Sequence, residues 1–494
     1  MASQRTGRAR PDTYFFFLVC FAAAEVALHL PFLSLPFFWD ELGQFVPAAL
    51  DILRDGAWVP HSAVPNVHPP GVMAYLASVW HVAGYSIEAT RCAMLAMAAL
   101  TVFFTFLLAV RLCRGIPGAP AFAAVLLLLV DPLFYMQGML AQLDMPAMLF
   151  TVIALLLFIE ERHLWSALAC VALVLMKETG ALLPLIFFAL LAYRRNRAAV
   201  FYLAPFVVLA SWLGVLWRST GHIFGDPGFT HYNVAFALHP VRIVTCLLRR
   251  VWYLGVADFR WIGAIAIWIS WKRHACFRSR AWKVAGGVAA AHVLLVSILG
   301  GAELERYLLP AMPVLYIAMA AAFSRLAPPM RHIAPALACL GLLAGLFVNP
   351  PYPFPYENNL ALADFVELQH TAAQFVEKQY PTRTVATAWP FTAALRTPDF
   401  GYVGKPVATR ETSDFRVSTL AHLSPQPDSV LVVYSRTWEP RWGVLAIPAV
   451  ERFLRQYYEY EPQMDPGEIL ARFGMHSVAH WTRRGQWIEV YARP

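Results

Sequence analysis

Long apolar runs recur along the first 349 residues and then stop. At roughly 17 to 25 residues per bilayer crossing, they fall near 13–33, 88–110, 118–135, 144–160, 163–177, 179–193, 198–217, 246–271, 284–300, 307–324 and 333–349. This pattern predicts a polytopic α-helical membrane protein with about eleven spans. The run 246–271 is interrupted by Arg249, Arg250, Asp258 and Arg260, and reads as a kinked span or as an interfacial helix followed by a shorter one.

Between the first two runs the pattern changes. Phe45, Ala49, Ile52 and Leu53 recur at helical spacing with Gln44, Asp51 and Arg54 opposite, which predicts an amphipathic helix lying on the membrane surface. After Pro69-Pro70, the stretch "GVMAYLASVWHVAG" is too short to cross and reads as a second interfacial helix. Beyond the last run comes "NPPYPFPYENN", whose prolines cannot continue a helix. There Leu362, Phe365, Val366, Ala373 and Val376 mark one face of a helix, whereas "TVATAW", "SVLVVYS" and "QWIEVYA" read as strands. The expected division is a transmembrane domain over residues 1–349 and a small soluble α/β domain over 350–494. The latter contains neither a P-loop nor a GxGxxG stretch, so it is assigned no nucleotide site.

Composition agrees with the pattern, at 59% hydrophobic and 14% charged residues. The formal net charge of +8 would suit nucleic acid, but the basic residues cluster in short loops, as the positive-inside rule requires of cytoplasmic segments. With Arg5, Arg8 and Arg10 inside, the clusters Arg111/Arg114, Arg162, Arg194–Arg197, Lys272–Lys283 and Arg325/Arg331 fall on the same side. The outer face then receives Asp40, His68, Asp144, "KETG" at Lys177–Gly180, His231 and "AELER" at Ala302–Arg306. An odd number of spans also places the C-terminal domain outside. The first run is longer than a signal peptide and reads as an uncleaved span. The seven cysteines contain no CxxC pair and define no disulfide or metal framework.

Several polar residues on the expected outer face are candidates for chemistry. Asp40 and Glu41 directly follow the first run; acids there cap a following helix, or Asp40 serves as a general base in a partly desolvated site. Lys177 sits at a membrane boundary, where an ammonium snorkels, pairs with Glu178 or binds an anion. Arg91 and Arg306 offer the bidentate geometry that suits phosphate, with Glu303 or Glu305 as alternative partners for Arg306. Asp144, two residues before Pro146, is explained by capping alone. His68 and His231 are candidates for acceptor or metal contact, although no HExxH or His/Cys spacing supports a metal. Glu25 and His29 lie four apart in the first span and read as a structural pair with a cavity-lining alternative.

The order "DE" after the first span, "HPPG", Arg91, "LDMPAMLF", "KETG" and "ERYLLPAMP" resembles the GT-C fold glycosyltransferases. Within that group it is similar to the family-39-like enzymes, which include protein O-mannosyltransferases and lipid A aminoarabinose transferases. The resemblance covers about Pro11 to Leu326. It implies a polyprenyl-phosphate-linked sugar as donor, a lipid, glycan or protein acceptor, and inverting transfer at the outer face of the inner (plasma) membrane. It also implies Asp40 as catalytic base; the residues read above as candidates, Glu41, His68, Arg91, Asp144, Lys177, Glu178, His231, Glu305 and Arg306, form the candidate substrate-binding set. His68 stands where some relatives have lysine, so a phosphate contact there depends on its protonation. No cofactor is assigned. The alternative reading is a transporter or flippase for a lipid-linked or anionic substrate, against which stand the missing internal repeat and the crowding of polar residues on one face.

Overall fold

The computed structural model describes residues 11–273, 275–423, 429–440 and 443–493. Arg5, Arg8 and Arg10, on which the expected orientation partly rests, lie outside the described residues. All eleven apolar runs are helical. In chain order the helices are α1 (Pro11–His29), α2 (Val46–Asp55), α3 (Gly71–Ala83), α4 (Ile87–Leu112), α5 (Pro120–Leu129) and α6 (Pro132–Gly138). There follow α7 (Asp144–Ile159), α8 (His163–Met176), α9 (Leu182–Tyr193), α10 (Ala204–Thr220), the single turn α11 (Pro227–Thr230) and α12 (Pro240–Gly255). The helical part ends with α13 (Arg260–Arg273), α14 (Arg280–Ile298), α15 (Met312–Phe323) and α16 (Met330–Phe347). By length and composition six helices can cross a membrane, or eight if the bent pairs α5–α6 and α12–α13 each count as one span.

One of the two bends departs from the run-counting reading, and the other, in the run 246–271, is the kink expected there. Residues 118–135 read as one span, but α5 and α6 meet at 68°, and α12 and α13 meet at 51°. A broken helix exposes backbone groups that hydrocarbon cannot satisfy, so each break needs polar partners. One buried network serves both. Asp131 accepts from the Phe134 amide at 2.8 Å, capping α6, and its other oxygen accepts from Arg260 and from the Tyr316 hydroxyl. Arg260 also donates to Asp258 at 2.8 Å and to the Tyr253 carbonyl at 3.3 Å. Replacing Asp131 with alanine leaves a buried guanidinium short of its partner. The expected cost is about 3–5 kcal/mol, read as a large drop in the thermal unfolding temperature of the detergent-solubilised protein; an unchanged unfolding temperature would refute the role of this network.

The α2 segment departs from its expected place. Val46 to Asp51 are buried, so α2 is enclosed by protein instead of lying on a membrane surface. Asp51, expected on the polar face, accepts from the amides of His61 and Ser62 at 2.9 Å each and from the Ser62 hydroxyl at 2.6 Å. It stabilises the returning loop. In the turn before α2, a side chain on Gly43 would come within 2.2 Å of the Trp389 indole, so only glycine admits that close approach.

α2 packs against α3, and the segment before α2 is covered by the C-terminal part, where α17 (Ala361–Gln379) packs on a five-stranded sheet. Its strands are β1 (Val385–Ala388), β2 (Thr409–Thr412), β3 (Val430–Tyr434), β4 (His476–Arg483) and β5 (Gln486–Ala492), in the order β2-β1-β3-β5-β4. β1 runs parallel to β2 and β3, while β5 is antiparallel to β3 and β4. β1, β3 and β5 match the three expected strands. β2 and β4 were not expected because both are largely exposed and carry little apolar signal. The C-terminal sheet and its helices hold the segment leading to Asp40. Tyr402 donates to the Phe37 carbonyl at 2.7 Å, Phe38 packs edge-on against Phe365, and Trp39 packs edge-on against Trp389.

Candidate active site

Five separate stretches of chain bring charge to one point. Trp39 adopts a left-handed backbone, φ 44°, a conformation a bulky residue holds only when its surroundings fix it. The aromatic contacts of Phe37 to Trp39 supply that constraint and aim Asp40 at Arg306. Arg306 stands in the short 3₁₀ turn Glu305–Ala311 that leads into α15. Its guanidinium donates to Asp40 Oδ2 and Gln142 Oε1, and to Glu357 Oε2 at 3.1 Å. Its Nε lies 3.4 Å from Asp144 Oδ2. Asp144 opens α7 and accepts from Lys177 Nζ at 2.5 Å. Lys177 in turn lies 4.3 Å over the Tyr307 ring.

The chain is extended at Lys177, φ −155° and ψ 130°. Successive side chains of extended backbone point to opposite sides, so Lys177 and Glu178 separate. Lys177 turns to Asp144, while Glu178 accepts from His68 Nδ1 at 2.8 Å. The Lys177–Glu178 pair considered from sequence therefore does not form. Arg306 likewise pairs with neither Glu303 nor Glu305. Glu305 faces Arg249 at 2.6 Å and Asn358 at 3.0 Å.

Glu41 and Arg91 come together, but away from any opening. Both side chains are fully buried. Glu41 accepts from Arg91 at 2.5 and 3.2 Å and from the amides of Ala141 and Phe38 at 2.6 and 2.8 Å. Arg91 also donates to the carbonyls of Met139, Leu35 and Pro36. This pair ties the Asp40 loop to the turn that delivers Gln142 and Asp144. Asp40, one residue earlier, retains 14% side-chain exposure. His68 sits between the rings of Phe45 and Phe229 with Glu178. His231 is exposed and lines a separate depression with His222 and Phe224. Glu25 and His29 lie 3.6 Å apart, and His29 also contacts the Glu25 and Tyr135 carbonyls, as a structural pair would.

Beside the cluster is a narrow cleft, lined by Asp144, Lys177, Tyr307 and His292 at its polar end and by apolar residues such as Leu183 and Ile186. An apolar cleft ending in paired charge suits a molecule with a hydrocarbon chain and an anionic head. Gln142, Tyr307 and Glu357 are site residues that reading the sequence missed. Glu357 lies in the proline-rich connection after α16, where the local pattern signals only a helix stop. Its carboxyl is pushed up to about 7, because burial disfavours its charge and the neighbouring Arg306 only partly offsets this.

No protein-family model matches the chain, and no curated protein matches it significantly by sequence. Solved structures do match. ArnT from Cupriavidus metallidurans bound to undecaprenyl phosphate is 15% identical, with 96% of this chain and 98% of that one covered at a TM-score of 0.53. Its apo state gives the same identity and TM-score over 97% and 98% of the two chains. The archaeal oligosaccharyltransferase AglB from Archaeoglobus fulgidus, in complex with an inhibitory peptide and a dolichol-phosphate, is 12% identical, with 98% and 74% covered at a TM-score of 0.48. The helical bundle and its C-terminal sheet thus define a polytopic membrane protein with the GT-C fold. Within that fold, the likeness to ArnT extends over nearly the whole of both chains.

Proposed function

We propose that this protein is a membrane glycosyltransferase that moves a monosaccharide from a polyprenyl-phosphate donor to a hydroxyl or amine of an acceptor, at the outer membrane face and with inversion. The observation that carries the proposal is a partly exposed carboxylate, Asp40, held by Arg306 next to the Lys177–Asp144 pair at the end of an apolar cleft. The ArnT structure with undecaprenyl phosphate has the same fold and makes a polyprenyl phosphate the natural occupant to test.

Asp40 takes the proton of the acceptor as its oxygen or nitrogen bonds to the anomeric carbon. The bond from that carbon to the phosphate oxygen breaks, and the electron pair leaves with the phosphate. The leaving group needs charge stabilisation more than a proton. Lys177 and Arg306 provide it by exchanging part of their contact with Asp144, Glu357 and Asp40 for phosphate oxygens. The fully buried Glu41–Arg91 pair acts through the backbone it holds, and Glu178 with His68 supports the loop beside the cleft. Glu305 holds Arg249 and Asn358.

The test is release of undecaprenyl phosphate from a panel of undecaprenyl phosphate hexoses and pentoses by the purified protein. Wild type is expected to release it with at least one sugar. Lys177→Gln, which loses a charge-assisted contact of about 1.5–3 kcal/mol, is expected to raise the donor KM about 10- to 150-fold. No release across the panel with candidate acceptors present would overturn the proposal, and an unchanged donor KM in Lys177→Gln would remove Lys177 from the donor site.

A further inference from the structure

The connection between α16 and α17 does more than join two parts of the chain. Four consecutive residues each fasten it to a different neighbour. The Tyr356 hydroxyl donates to the Ser435 carbonyl at 3.0 Å, Glu357 meets Arg306 and Gln142, Asn358 donates to Glu305, and Asn359 donates to the Gly345 carbonyl at 3.2 Å. Glu357 is therefore delivered into the charged cluster by a segment anchored to the sheet. Its Oε1 is buried and has no hydrogen-bond partner among the described residues. At full ionisation the cluster holds three carboxylates, Asp40, Asp144 and Glu357, against two cations, Arg306 and Lys177. An entering phosphate adds negative charge to a group already one cation short.

We infer that Glu357 is a positioning residue that controls Arg306: ionised, it holds the guanidinium away from a phosphate, and on phosphate binding it takes up a proton and releases it. This inference rests on the donor site proposed above. The groups that face Glu357 are Arg306 and Gln142 by direct contact, with Asp40 and Asp144 nearby. Arg306 favours its charged form, whereas burial and the two aspartates favour the proton, as would a bound phosphate. Binding and proton uptake must then be linked reciprocally. The C-terminal part, through this one side chain, becomes a component of donor binding instead of a cover alone.

The test is binding of undecaprenyl phosphate to the full-length protein at pH 8, with proton uptake measured from binding heats in buffers of different ionisation enthalpy. A phosphate monoester, with a second pKa of about 6, is essentially fully ionised at that pH when free, and loss of the uptake in Glu357→Gln assigns the proton to Glu357 and not to the phosphate. Wild type is expected to take up a substantial fraction of one proton. Affinity is expected to fall as pH rises from 6.5 to 8.5, by about tenfold for each unit by which the phosphate raises the Glu357 carboxyl. Glu357→Gln keeps the shape and a polar contact and is expected to lose both the uptake and this extra pH dependence. Binding without proton uptake in wild type, or undiminished uptake in Glu357→Gln, overturns the inference. Absence of uptake in wild type overturns it even if the variant fails to fold. Absence of binding at every pH overturns both this inference and the donor site, whereas binding without uptake overturns only the former.

Discussion

Asp40→Asn is expected to lower turnover about 10²- to 10⁴-fold, the range that a positioned general base contributes, while leaving undecaprenyl phosphate binding nearly intact. Asparagine matches aspartate in shape, and its amide oxygen can still accept from Arg306, so the contact that orients the residue survives. What disappears is the ability to hold the acceptor's proton. The Phe37–Trp39 anchors do not involve the Asp40 side chain, so the unfolding temperature should change little. The opposite pattern, full turnover with a large drop in stability, would make Asp40 only a structural partner of Arg306.

Glu41→Ala is expected to cost about 3–5 kcal/mol of stability, because it strands a fully buried guanidinium. Such a loss is a large part of the stability of an ordinary domain, so the variant should accumulate poorly. Arg91→Ala should be similarly harmful, since Glu41 would keep its two amide donors but lose its countercharge. The double variant Glu41→Leu/Arg91→Met removes both charges together. It is expected to be more stable than either single alanine variant, because no charge is left buried alone. Thermal unfolding of the three variants checks this, and strictly additive losses would show that the two side chains do not depend on each other.

Glu357 gives a separate pH effect on stability. Its folded-state carboxyl, at about 7, lies above the ordinary value of 4.5. The folded state therefore binds the proton more tightly than the unfolded chain does. Its contribution favours folding fully below about 4.5 and is lost as pH rises through about 7. Glu357→Gln should flatten this part of a plot of unfolding temperature against pH.

Much of the helical frame is legible in the sequence because span length and apolarity are properties of contiguous residues. All eleven runs fall on helices, yet the bend inside 118–135 does not interrupt the run's apolar character enough to show. Its visible trace is Asp131-Pro132, whose partner Arg260 is 129 positions away. The same distance hides the wiring of the site. Asp40 and Glu41 are equivalent neighbours in sequence, but the left-handed backbone at Trp39 and the tight turn after it send one to Arg306 and the other to Arg91. Lys177 and Asp144 meet across 33 positions, and Arg306 and Glu357 across 51. Those choices are made by packing, which local pattern does not record. Glu357 was hidden twice, by its proline-rich surroundings and by belonging to a segment with no apparent chemistry.

The most direct test of the central claim, covalent sugar transfer at this site, follows one radiolabelled undecaprenyl phosphate sugar in proteoliposomes containing wild type or Asp40→Asn, with a membrane lipid extract as acceptor. Label and lipid are tracked separately. The expected result is that wild type moves the label to an acceptor while undecaprenyl phosphate appears in equal amount, and that Asp40→Asn does neither. Recovery of the intact donor on the opposite leaflet, with no free undecaprenyl phosphate and no difference between the two proteins, would contradict the account and identify a transporter.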